Sequence, residues 1–303
     1  MPGLATRLVT LYTRRVIRMD SVESPQQLVR HLRRAMQMPV PAILLPPGIR
    51  AARFTGHGIA GDWLQVKGSR RALLYFHGGG YIAGITRTCF PLCGQLARRL
   101  DADVFLPEYR LAPEHPFPAA VDDAVAAWDT LLEHGWHPQN ILVAGDSAGG
   151  GLTLALLLRL RDSGRTLPAA AIAMSPFADM TATAASHIDN DHSDSVLSAA
   201  MISAGESLYV QDPEQRRHPH ASPVFADFTG LPPLLLTVSE NECLRDDTHA
   251  VLRRARQARV PASLISRPDQ PHVWPVFWPL LPEARADVRQ MAAFARRTVA
   301  ARP

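Results

Sequence analysis

Gly145-Asp146-Ser147-Ala148-Gly149 stands between the apolar run Ile141-Leu142-Val143-Ala144 and a helix-like run over residues 152–160. A short apolar run, a glycine-bracketed corner and a helical pattern describe a strand that turns sharply into a helix. At so tight a corner the serine must take strained backbone angles. Only glycine-sized neighbours two residues to either side then let strand and helix pass closely. The side chain is pushed out above the sheet, where a nucleophile belongs. Gly-x-Ser-x-Gly alone recurs by chance and can be a plain glycine-rich helix start; here the flanks fit as well.

Working outward, short apolar strands are expected at 72–76, 104–106, 141–144 and 170–174, with helices near 92–100, 119–132 and 152–160 between them. Val121, Val125, Trp128 and Leu132 mark the stripe by which one such helix packs on a sheet. Strands alternating with amphipathic helices make βαβ units around a mostly parallel sheet flanked by helices, an α/β fold. The alternation stops at Ser175-Pro176 and resumes with a strand at 233–238, a helix at 248–258, a strand at 262–266 and a helix at 282–299. Between lies a polar insertion, 179–220, with one weak helix at 199–209; it is expected to be half of a helical cap.

Ahead of the body, Leu4, Leu8, Leu11 and Tyr12 recur at helical spacing, and a second helix is expected over 25–38. Pro39-Val40-Pro41 and Leu45-Pro46-Pro47-Gly48 cannot propagate a helix and read as a linker. The expected division is therefore N-terminal cap helices and linker over 1–48, a catalytic domain over 49–178 and 221–303, and a cap insertion over 179–220.

Composition removes several function classes. The 303 residues are 47% hydrophobic and 20% charged, an ordinary globular balance. The 32 basic against 28 acidic residues come largely from scattered arginines, densest in the first 34 residues and the last helix, and no run of them exceeds two. A nucleic-acid footprint needs clustered charge with aromatic stacking partners, so no nucleic-acid partner is expected. Cys89, Cys93 and Cys243 cannot build a disulfide framework and suit reduced thiols in a cytoplasmic compartment. Arg14, Arg15 and Arg18 break up the apolar positions of the N-terminus; an amphipathic helix is expected there, with no membrane span.

A serine hydroxyl needs a base within hydrogen-bond reach, a carboxylate to orient that base, and donors for the oxyanion. His77-Gly78-Gly79-Gly80, directly after the strand ending at Phe76, offers backbone N–H groups as donors. Among twelve histidines His272 has the right place, in the loop between the last strand and the last helix, after both the serine and the acidic cluster. His57, His187, His192, His218 and His220 fall in linker or cap segments, where exposure is expected, and His77 is expected to hold its own loop. The acid lies in Ser239-Glu240-Asn241-Glu242-Cys243-Leu244-Arg245-Asp246-Asp247, just beyond the strand. Glu242 fits best, Asp246 and Asp247 suit the start of the next helix, and Glu240 is a strand-end alternative. Asp189, Asn190, Asp191, His192 and Asp194 could suggest metal coordination, but a polar cap loop is more simply read as solvated, and no metal or cofactor is expected.

His77-Gly78-Gly79-Gly80, the stretch from Tyr109-Arg110-Leu111-Ala112-Pro113-Glu114 through His115-Pro116-Phe117-Pro118-Ala119-Ala120, Gly145-Asp146-Ser147-Ala148-Gly149-Gly150 and Leu231-Pro232-Pro233 together resemble the hormone-sensitive-lipase family of α/β-hydrolases, in its microbial esterase branch. The resemblance runs from about Leu73 to the last helix, and its tyrosine-to-alanine stretch is its most specific part. It implies Ser147 as nucleophile, His272 as base, and the N–H groups of Gly79, Gly80 and Ala148 as the oxyanion hole, with Arg110 and Glu114 fixing the loop beneath. The family's acid is usually the aspartate of Asp-x-Leu-x-Asp-Glu, and here that pattern reads Glu242-Cys243-Leu244-Arg245-Asp246-Asp247. The implied activity is hydrolysis of carboxylic esters through an acyl-enzyme, with acyl chains up to about eight carbons. A lactone or amide hydrolase would use the same residues. An inert ligand receptor of this fold would lack the base, and His272 is present. The insertion does not advertise the wide apolar face of an emulsion lipase. The expected partner is a small ester, and the chain a monomer or a homodimer joined at its last strand, a sheet edge.

Overall fold

In the computed structural model, which describes residues 2–36, 45–56, 58–84 and 89–300, one sheet organises the chain. Its strands are β1 (Ile49–Gly56), β2 (Ile59–Val66), β3 (Arg71–Phe76), β4 (Ala102–Pro107), β5 (Ile141–Asp146), β6 (Ala170–Met174), β7 (Leu234–Ser239) and β8 (Ala262–Arg267), in the spatial order β1-β2-β4-β3-β5-β6-β7-β8. From β4 through β8 every neighbouring pair is parallel. β1 and β2 form an antiparallel hairpin that adds antiparallel to β4.

Strand alternation sends successive side chains to opposite faces. Leu74, Phe76, Ile141 and Val143 pack beneath α4 (Ala119–Glu133), α5 (Ala148–Asp162) and α8 (Arg245–Gln257). Leu73, Tyr75, Leu142 and Ala144 face α3 (Phe90–Leu100) and α9 (Pro282–Thr298) on the other side. Both faces are covered, which is why β3, β5 and β6 are almost uniformly apolar. On α4 the buried stripe is Val121, Ala124, Trp128 and Leu131, with Val125 and Leu132 at its margin.

The parallel strands and their helices lie where the sequence puts them, to within a few residues. The β1–β2 hairpin does not: no strand is expected before residue 72. In β1 the alternation is carried by Ala52, Phe54 and Gly56, half-buried and mostly small, so the period-2 signal is weak; in β2 the buried Ile59, Gly61 and Trp63 alternate, and the buried Leu64 then breaks the period. The Pro39–Pro41 part of the expected linker lies outside the described residues, as does His57.

Two helical pieces sit off the sheet. The segment between β6 and β7 carries the short α6 (Ser186–Asp189) and α7 (Ala199–Tyr209). The other piece is the N-terminal α1 (Leu4–Val16) and α2 (Pro25–Met36), with Leu28, Val29 and Leu32 of α2 joining the core cluster that includes Met201, Ile202 and Tyr209 of α7.

Candidate active site

Ser147 caps α5 with φ +54° and ψ −120°, in the left-handed half of backbone space that side chains avoid. Its N–H donates to Met174 O at 2.8 Å, and its own carbonyl accepts from the N–H groups of Gly151 and Phe177 at 3.0 Å. A Cβ on Gly145 would stand 2.2 Å from Gly149 O, and one on Gly149 would stand 2.0 Å from Phe76 O. Those two glycines are what allow strand and helix to cross at the serine.

Two loops from neighbouring strands reach this serine. His272 follows β8, and Glu242 follows β7. Nε2 of His272 lies 2.9 Å from Ser147 Oγ, and Nδ1 lies 2.8 Å from Glu242 Oε2. With its proton on Nδ1, the imidazole donates to the carboxylate and accepts from the serine hydroxyl. Both His272 and Glu242 are fully buried. Burial pushes the His272 pKa down, but the adjacent Glu242 carboxylate, with Asp194 and Asp146 adding, offsets this and the net shift is upward from 6.5. Burial raises the Glu242 pKa, with His272 and the Ser175 hydroxyl pulling it back in part. Neither Ser175 Oγ nor Glu242 Oε1 has a partner at ordinary hydrogen-bond geometry.

The other carboxylates of this stretch are engaged elsewhere. Glu240 pairs with His249 and Ser266. Asp246 and Asp247 lie in the first turn of α8, as the dipole argument expects, but their oxygens accept from cap and loop groups. Asp246 accepts from Ser186 N; Asp247 accepts from the N–H groups of Ala178 and Asp179 and bonds His187.

The glycine loop passes directly over the serine. A Cβ on Gly78 would lie 2.4 Å from Asp146 Oδ2 and 3.2 Å from Ser147 Cβ. Gly79 and Gly80 follow with φ +123° and +64°. Ala148 opens α5, so its N–H is among those a helix leaves unpaired at the positive end of its dipole. His77 Nδ1 donates to Gly78 O at 2.7 Å and its ring stacks on Tyr109, whose hydroxyl donates to His77 O. Burial pushes the His77 pKa down to about 4, so it is a neutral strut of the loop. Asp146 accepts from Tyr75 OH at 2.7 Å, and burial raises its pKa to about 6. Glu114 forms a paired hydrogen bond with Arg33 of α2, which also donates to Ile82 O and Ala112 O. Arg110 is locked on Asp123 of α4.

Sequence reasoning took residues 189–194 for a solvated loop, and that reading is corrected. Asn190 Nδ2 donates to the carbonyls of Glu240 and Glu242 at 3.1 and 2.9 Å, and Ser193 Oγ donates to Asn241 O at 2.9 Å. Cys243 N donates to Asp194 Oδ2 at 2.8 Å. Four consecutive residues of the loop bearing Glu242 are thus pinned by side chains of residues 190–194. α1 and the turn after it grip the same segment: Arg14 donates to His192 O and Asp194 O, Arg18 to Asp194 O and Asp191 Oδ1, and Thr13 Oγ1 to Ser195 Oγ. The density of short hydrogen-bonding side chains between apolar Ile188 and Val196 was the available signal. His187 and His220, expected at the surface, are buried, on Asp247 and Asp162 respectively.

A model of the α/β-hydrolase fold matches residues 73–276. The chain is 41% identical over 253 residues to an acetyl-hydrolase of Streptomyces hygroscopicus, covering 83% of each protein. It is 35% identical over 248 residues to an esterase of Acinetobacter venetianus, covering 82% of this chain and 81% of the relative. An esterase from the bacterial hormone-sensitive lipase family superposes with a TM-score of 0.89 at 36% identity, over 99% of this chain and all of the other. An esterase crystal soaked with p-nitrophenyl butyrate matches equally well, at 0.89 and 37%, over 99% of this chain and all of the other.

Proposed function

This chain belongs to the hormone-sensitive-lipase family of α/β-hydrolases and is a carboxylesterase; on that premise we propose that Ser147, His272 and Glu242 are its catalytic triad. The unbroken line of contacts from Ser147 Oγ through both nitrogens of His272 to Glu242 Oε2, all buried, carries the proposal. His272 Nε2 takes the hydroxyl proton as Ser147 Oγ bonds to the acyl carbon. The carbonyl oxygen becomes an oxyanion facing the N–H groups of Gly79, Gly80 and Ala148. His272 then returns the proton to the departing alcohol, leaving an acyl-enzyme. Water repeats the sequence from the other side and releases the acid. Glu242 holds the imidazole with Nδ1 protonated and stabilises the imidazolium that forms twice in each turnover.

The preferred acyl groups are short to medium. Ser147 is only 9% exposed, and α2 and α7 pack together above the oxyanion loop, which limits the length a pocket can take. The acetyl-hydrolase relative supports the short end of that range. The test is a p-nitrophenyl ester series from acetyl to palmitoyl, alongside a lactone and an amide, with a fluorophosphonate as covalent probe. Ser147→Ala should abolish both hydrolysis and labelling. Unchanged turnover in that variant sinks the triad, and faster cleavage of palmitoyl than of butyryl esters sinks the chain-length reading.

A further inference from the structure

Helices α3, α4, α5, α8 and α9 turn their apolar side chains inward, and α1 does the reverse. Its buried residues are Thr6, Val9 and Thr13, while Leu4, Leu8, Leu11 and Tyr12 are 51–74% exposed. Those four share one helical face by their spacing. What holds α1 to the body is its opposite side, with Val9 and Ala5 packed on the core and polar contacts through Thr13, Arg14 and, just past the helix, Arg18. The apolar stripe is therefore not used in folding, although an amphipathic helix ordinarily buries it.

Charge singles out the same region. The first 34 residues contain seven arginines against Asp20 and Glu23, a net charge of +5, whereas the whole chain carries +4. α1 has no acidic residue, and Arg7, Arg14 and Arg15 are exposed. A second copy of the chain is a poor occupant for this face. A two-fold contact would set these arginines against their own counterparts. A helix of 13 residues is also only about 20 Å long, and one stripe along it falls short of the roughly 800 Å² per partner of a stable interface.

We propose that α1 is an interfacial helix that seats the protein on an anionic lipid surface. Leu4, Leu8, Leu11 and Tyr12 enter the boundary between headgroups and acyl chains, and Arg15 reaches the lipid phosphates. Among the described residues no helix is long and apolar enough to cross a membrane, so the helix lies on the surface. Because α1 grips residues 192–195, which pin the loop bearing Glu242, docking turns the cap side of the ester site toward the lipid, where hydrophobic esters concentrate.

The full-length protein should co-sediment with phosphatidylcholine vesicles containing phosphatidylglycerol, about tenfold more strongly than with phosphatidylcholine alone, and less as salt rises. Leu8→Ser/Leu11→Ser should lose this binding, and Arg15→Gln should weaken it roughly fivefold. Both variants should melt like the parent and hydrolyse p-nitrophenyl butyrate in buffer at the parent rate, which separates docking from the chemistry of the site. Failure of the parent to bind anionic vesicles overturns the proposal, as does equal binding by the leucine variant. So does a parent dimer, seen by sedimentation velocity, that the leucine variant abolishes.

Discussion

Shortening residue 242 by one methylene asks whether the acid loop is as rigid as its hydrogen bonds imply. In Glu242→Asp the carboxylate retreats by about 1.5 Å, which stretches the 2.8 Å contact with His272 Nδ1 to about 4 Å, beyond a hydrogen bond. The loop could restore contact only by moving. Asn190, Ser193 and Asp194 hold its residues 240–243 where they are. A misplacement of about 1 Å costs on the order of 100-fold, the expected loss in kcat/KM. Glu242→Gln keeps the length and removes the charge, and should cost about 10⁴-fold.

The two variants should also differ in pH profile. The proposed mechanism needs neutral His272, so the rate should fall as pH drops through its pKa, which Glu242 helps to hold above 6.5. Without that charge the His272 pKa loses its largest upward influence while the downward effect of burial remains, so the acid limb of Glu242→Gln should move to lower pH. The assay is kcat/KM for p-nitrophenyl butyrate between about pH 5 and 9, with Asp246→Asn as control. Parent-like rates in Glu242→Asp would refute the pinned loop. An unmoved acid limb in Glu242→Gln, or an equal loss in Asp246→Asn, would refute Glu242 as the acid.

Asp194→Asn and Asn190→Ala should each lower kcat about tenfold with KM for a small ester unchanged, and Asp194→Asn should also shift the acid limb down, because its charge supports the His272 proton; parent-like kcat in both would remove the cap from the catalytic geometry. Burial holds the Glu206 pKa up to about 8, with Asp247 and Asp179 adding and His187 and Arg216 opposing. A raised carboxyl pKa stabilises the fold at low pH and is lost as pH climbs from about 4.5 to 8. Glu206→Gln should therefore melt with the parent at pH 5 and several degrees above it at pH 9, and a constant difference across that range would contradict the argument. Gly78→Ala places a Cβ 2.4 Å from Asp146 Oδ2 and should cost about 1–3 kcal/mol of stability, measured by thermal melting, together with most of the activity.

The parallel sheet was legible because strands covered on both faces are nearly continuous apolar runs, as in Ala170–Met174. β1 was not, since its inward positions are small or only half-buried; β2 does alternate, with Ile59, Gly61 and Trp63 buried, but the adjacent buried Leu64 breaks the period. Ser147, His272 and Glu242 could be named from their places just beyond strand ends, a one-dimensional property. The cap residues could not: a run such as Asp189 to Asp194 has the composition of a solvated loop, and only its neighbours decide whether its oxygens meet water or peptide groups.

The N-terminal helix makes the same division. Spacing alone determines that Leu4, Leu8, Leu11 and Tyr12 lie on one face, because helical geometry is local. Which way that face points is a matter of what packs against the opposite side, and there the tertiary structure sets Thr6, Val9 and Thr13 inward. The sequence by itself determined the α/β architecture and the order of candidate nucleophile, acid and base, since both follow from local periodicity and position along the chain. The tertiary structure alone decided how the acid loop is held, which histidines are buried and which face of α1 meets solvent, because each depends on contacts between residues distant in the chain.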